Sequence, residues 1–137
     1  MSTSAFAMIV LQDPGFAAVK DWIRDAAPDP VVCDFGWGEF VSAVGLRIRS
    51  HWIVRSAGDR VLAVASQVSM RWRRIEICSD DIAVATGFVA RYDLALRLPD
   101  AIPVALAQRL ACTLVTTDHQ QLRAARSLGI HAVDPTN

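Results

Sequence analysis

Two carboxylates in the second half of the chain give the first hint of chemistry: Asp100 in LPDAIPVALAQRL and Asp118 in LVTTDHQQL. Each stands where a helix should begin. Leu98-Pro99-Asp100 opens one helix, and Pro103 marks its start, because proline is tolerated in a first turn, where the amide has no helical acceptor. Asp118 follows a short buried strand, Thr113 to Thr116, and Gln121 comes three residues later, the spacing of a variant capping box. A strand that delivers an acid at its carboxyl end is how an α/β sheet builds a site. Two acids at helix N-termini could therefore meet at one sheet edge, although simple N-capping would also account for each. A third acid lies earlier. Glu39, in VVCDFGWGEFVSAV, finds Gly36, Ser42 and Ala43 where a solvated helix face would offer a cation three or four residues away. That context points to a helix buried on most sides, against the alternative of a half-exposed surface glutamate.

Other candidates read as structure. Asp80 and Asp81 are adjacent, and successive helical residues point about 100° apart, so they suit a helix dipole better than a shared metal. His51, His119 and His131 are not needed as ligands, and His119 reads as a solvent-facing helix residue. Cys33, Cys78 and Cys112 are few and odd in number. Cys33 and Cys112 read as small buried hydrophobes, and the absence of CxxC or paired-histidine spacing argues against zinc.

The elements that must position these acids fit one domain of 137 residues, 53% of them hydrophobic. No apolar run approaches the roughly 20 residues needed to span a bilayer. The opening MSTSAFAMIVLQDPG lacks the basic flank and cleavage site of a secretory signal, so a cytoplasmic protein with no membrane partner is expected. Net charge is zero and Lys20 is the one lysine, so no global basic field advertises nucleic acid.

Residues 4–11 form an apolar segment closed by Asp13-Pro14-Gly15. Phe16, Val19 and Ile23 predict a helix over 16–26, and Val31 to Cys33 a strand, with Asp34 placed to cap the helix that follows over 34–49. Residues 47–60 are basic and irregular. Val61, Ala65, Val68 and Trp72 then mark a helix, Ile75 to Ile77 a strand, and Ser79 to Arg91 another helix. Leu122, Ala125 and Leu128 give the last helical face, with Gly129 as its C-terminal cap and Ile130 to Val133 as a final strand. Strands alternate with helices, so a parallel sheet covered by helices on both faces is expected.

The acid of VVCDFGWGEFVSAV, then LPDAIPVALA and LVTTDHQQL, in that order along the chain, resemble the PIN domain, specifically the VapC-type toxins of bacterial toxin–antitoxin pairs. The resemblance covers nearly the whole chain. It implies a single α/β/α PIN-like domain over residues 1–137, built on a parallel sheet, and a metal-dependent endoribonuclease activity. Glu39, Asp100 and Asp118 would then be the catalytic and metal-binding acids, converging on one acidic pocket. Asp100 and Asp118 would contact the metal directly or through water, and Glu39 would hold metal-bound water. Thr116 and Ser4 would be supporting hydroxyls. Magnesium or manganese is the implied cofactor, because hard oxygen ligands suit those ions. Such a cation polarises the scissile phosphate and lowers the pKa of the attacking water.

The front of the chain departs from the family pattern. Ser2 stands where the family has its first metal-binding aspartate, and the apolar strand expected before it is truncated or missing. A start codon assigned too late, a deliberately trimmed chain and a natural degenerate copy would each explain this, the first two being favoured. Impaired RNA cleavage is expected in any of the three cases. The implied partners are an RNA substrate, a cognate antitoxin seated in a groove, and a second copy in a homodimer, with Trp52 an exposed anchor. The alternative function is a catalytically dead PIN-fold module that binds an antitoxin. A response-regulator receiver domain fits worse, since it needs a lysine late in the chain.

Overall fold

The structure, a computed structural model, describes residues 1–11, 13–26 and 29–137, with all their side chains except those of Thr3 and Ser4. These residues form two compact units, one of Met1–Ala5 with Ile77–Asn137 and one of Phe6–Glu76. In chain order the elements begin with α1 (Thr3–Leu11), α2 (Phe16–Ala26), β1 (Val31–Cys33), α3 (Asp34–Arg49), α4 (Arg55–Ser69) and β2 (Arg73–Ile75). They continue with α5 (Ser79–Ala90), a 3-10 turn at Tyr92–Leu94, α6 (Leu98–Leu110), β3 (Leu114–Val115), α7 (His119–Ser127) and β4 (Ala132–Val133).

Strand pairing among the described residues is parallel throughout. β1 pairs with β2, Val31 opposite Arg73 and Cys33 opposite Ile75, while β3 pairs with β4, Leu114 opposite Ala132 and Val115 opposite Val133. Parallel neighbours require a crossover, which α3 and α4 supply in one unit and α7 in the other. The class is therefore α/β with small parallel sheets, as the alternation of elements predicts.

In the unit of residues 6–76, Phe6 is the centre of the core. Its ring meets Phe40, Trp72 and Trp37 at centroid distances of 5.1, 5.3 and 6.4 Å, in edge-to-face arrangements favoured by aromatic quadrupoles. Phe40 and Val44 are fully buried on one face of α3, and Val19 on α2. Arg47 clamps both oxygens of Asp13 at 3.0 and 2.7 Å, tying α3 to the turn before α2. In the other unit, α6 buries every residue from Ala101 to Ala107. A helix this apolar on all sides belongs inside a fold. Asp81, 2% exposed, takes a forked pair of bonds from Arg109 at 2.7 and 3.0 Å, which joins α5 to α6.

Several local expectations are corrected. The irregular basic stretch is shorter than 47–60, because α3 runs to Arg49 and α4 starts at Arg55. Val54 is the N-cap of α4 and makes no side-chain capping bond, so that boundary carries no cap residue to read. Trp72 lies beyond α4, and β2 begins two residues before the expected strand. Cys33, not Asp34, caps α3, its sulfur accepting from the Gly36 amide at 3.2 Å. Cys112 is exposed, while Cys33 is buried as expected. Pro103 sits inside α6 beyond the first turn, so the Pro99 carbonyl loses the amide that any other residue there would donate. Among the described residues, no helix is long and apolar enough to cross a membrane.

Candidate active site

The carboxyl end of β3 is where the fold gathers its candidate groups. After Val115 the ladder goes one residue further, the Thr116 amide donating to the Val133 carbonyl at 3.1 Å. Thr116 is fully buried, and its hydroxyl oxygen accepts from the Asp118 amide at 3.1 Å. That contact turns the chain into α7 with Asp118 as the N-cap. Asp118 Oδ1 then accepts from the amides of Gln120 and Gln121 at 2.8 and 3.0 Å, satisfying two donors that a helix start would otherwise leave unpaired. Its other oxygen accepts from none of the described residues. The side chain of Gln121 does not close the expected capping box. Thr116 has taken the Asp118 amide, and Gln121 reaches another helix instead.

That helix is α6. Asp100 is its third residue, half-buried, and its Oδ2 accepts from Arg97 Nε at 3.0 Å. The Asp100 carbonyl accepts from Gln121 Nε2 at 2.7 Å, and the Leu94 carbonyl from Gln120 Nε2 at 2.5 Å. Two adjacent amide side chains thus fix the first turn of α7 to the first turn of α6 and the stretch just before it. Asp100 and Asp118 come to neighbouring helix N-termini, where the positive ends of two dipoles suit acidic side chains.

Ser2 belongs to the same unit. Its amide donates to the Val115 carbonyl at 2.9 Å, its hydroxyl accepts from the Ala5 amide at 3.4 Å, and it is 3% exposed. A neutral hydroxyl therefore flanks the strand end that precedes Asp118. The side chain of Ser4 lies outside the described residues. Glu39 belongs to the other unit. It is half-buried on α3, and with Phe35, Gly38 and Ser42 it lines an open hollow of about 480 Å³. The face of α3 that carries it is more open than expected, the buried face being Gly36, Phe40 and Val44.

Two residues near Asp118 or Asp100 had no role in the sequence reading, and a third, Gln121, was expected only as a capping partner. Arg97 pairs with Asp100, a contact whose only trace is the i,i+3 charge spacing. Asp134 is buried just after β4 and accepts from the Thr136 amide and hydroxyl at 2.9 and 2.6 Å and from Asn137 at 3.0 Å. Burial pushes its carboxyl up, but these bonds and the nearby His119 hold it below its ordinary value. The Asp-Pro-Thr-Asn ending is the signal for that turn. Gln121 is 4% exposed, and its Oε1 is buried with no hydrogen-bond partner among the described residues.

The oxygens brought together on α6 and α7 are hard donors of the kind magnesium and manganese prefer. Gln121 Oε1 adds a neutral hard oxygen on α7. In chemistry the set fits a hard divalent ion. Among the described residues, however, no three His, Cys, Asp or Glu side chains are grouped to hold one. No curated protein matches the chain. The family model of the PIN domain matches residues 2–127, nearly the whole length, and the chain belongs to the PIN domain family.

Proposed function

We propose that this chain is a VapC-type toxin, an endoribonuclease that cleaves RNA with magnesium or manganese. PIN domains are commonly nucleases and generally work with divalent metal ions. What carries the reading to this chain is the fixing of Asp100 and Asp118 at adjoining helix N-termini by the Gln120 and Gln121 amides. A divalent ion held by such oxygens would polarise a phosphodiester and lower the pKa of a bound water. The chain's own part is to hold both carboxylates in place. The Gln120 and Gln121 backbone amides do this for Asp118, while Arg97 balances Asp100 until the substrate and its counter-ion arrive. Glu39 is assigned as the third acid of the reaction on its place in the family pattern.

The test is cleavage of a labelled RNA by the purified chain in magnesium or manganese, with and without chelator. Cleavage that needs the metal and drops at least 100-fold in Asp100→Asn, Asp118→Asn and Glu39→Gln is expected. Asn caps a helix as well as Asp, so Asp118→Asn removes the charge and keeps the fold. A stoichiometric cognate antitoxin should abolish the cleavage. Its seat is proposed as the groove of about 530 Å³ in the unit of residues 6–76, lined by Ile9, Ile23, Val68 and Trp72 with Lys20 and Arg71. Apolar walls with two cations suit an amphipathic segment that carries acids.

Ser2 favours a second reading. A hydroxyl where the family places an acid fits a nuclease-dead module that acts only by binding an antitoxin. RNA cleavage or growth inhibition that ignores the Asp100 and Glu39 substitutions would support it. A chain with Ser2→Asp that cleaves no faster than the parent would remove the case for a weakened site.

A further inference from the structure

We propose that Gln121 is a positioning residue of the acidic site. It bridges the helix turns that carry Asp100 and Asp118 and so sets the spacing of the two carboxylates that receive the divalent ion. The inference rests on the metal-dependent reading above. Gln121 touches both acids' backbones or caps: its amide donates to Asp118 Oδ1 at 3.0 Å, and its side-chain Nε2 donates to the Asp100 carbonyl at 2.7 Å.

A purely structural role explains this poorly. Asp100 lies in the first turn of α6, so its carbonyl already has a helical donor four residues on, at Val104. A second donor is not needed to satisfy it. Meanwhile Gln121 is 4% exposed and its Oε1 is sealed away without a partner among the described residues, which is costly for any amide oxygen. Its neighbours on the buried side of α7 are Leu122, Ala124 and Ala125. A leucine or methionine in their company would pack without stranding an acceptor. The arrangement gives up stability and gains a fixed link between two helix starts, each of which carries a carboxylate. Functional sites are where such local costs are kept.

Gln121→Met keeps the length and apolar bulk and removes both polar ends. Manganese binding to the full chain, followed by electron paramagnetic resonance, is compared with thermal unfolding in chelator. Gln121→Met is expected to unfold at the wild-type temperature or above it, and to bind manganese at least fivefold more weakly. Gln121→Leu repeats the comparison should the methionine variant fold badly. Wild-type manganese affinity in either well-folded variant overturns the proposal. So does weaker binding matched by a lower unfolding temperature, the mark of a merely structural residue. A wild-type chain that binds no manganese at millimolar concentration sinks the metal reading itself, and the proposal with it, before any substitution is compared.

Discussion

Asp81 shows how far one carboxylate can be committed. Burial pushes its carboxyl up, yet the Arg109 fork and the Cys78 amide pull it down further, and it ends below the ordinary carboxylate value. A group whose pKa is lower in the folded chain adds stability above its unfolded pKa and loses it as pH falls through the folded value. Asp81→Asn should therefore cost about 2 kcal/mol at pH 7, reduced from a fully buried pair because Arg109 is partly exposed. The gap between variant and wild type should start to narrow below roughly pH 4 and close as pH falls through the lower folded value. Urea unfolding at pH 7 and pH 3 measures both, and an equal gap at the two values would show that charge is not what Asp81 contributes. Asp81 also explains which residues are legible in a sequence. First-turn acids such as Asp81, Asp100 and Asp118 leave a local track, because a helix start needs acceptors within three residues. Arg109 on Asp81 and Gln121 on Asp100 leave none, since their partners lie 28 and 21 positions away.

Elements were legible where their ends carry side-chain signals. The start of α7 at Asp118 and its end before Gly129, at φ +74°, follow directly from residue type. The start of α4 did not, because Val54 caps it through backbone conformation alone. α4 packs on α3, and at Gly58 the two helices come close. A methyl group built there would stand 2.5 Å from Ile48 Cδ1 and 3.5 Å from Val44 Cγ1. Gly58→Ala gains helix propensity, roughly 1 kcal/mol. It also forces the Ile48 side chain to move, and overpacking of this kind costs about 1–3 kcal/mol. A net loss of about 1 kcal/mol is expected, and Gly58→Ala with Ile48→Val should recover most of it. Additive losses in the double variant, read from unfolding midpoints, would show that the two helices do not meet through this pair.

At the scale of the molecule, the composition leaves more apolar surface than the described core absorbs. Within residues 6–76, Trp52 is 78% exposed, Val54 67%, Leu46 57% and Met70 74%. The first three lie within nine residues at the end of α3 and the start of α4. Net charge is zero, so nothing electrostatic keeps copies of the chain apart. Large apolar side chains clustered on a protein of zero net charge either meet a partner or drive aggregation. A second copy is the occupant proposed for the Trp52 patch, since self-association needs no other chain to be present and a symmetric contact uses the same surface twice. Light scattering at micromolar concentration should give twice the chain mass, and Trp52→Glu should return it to the single-chain mass with an unchanged circular dichroism spectrum. Aromatic anchors of this kind carry about 2 kcal/mol or more of an interface, enough to shift a micromolar dimer to mostly monomer. A monomer in the wild type, or a dimer that tolerates Trp52→Glu, would leave the exposed tryptophan to some other partner.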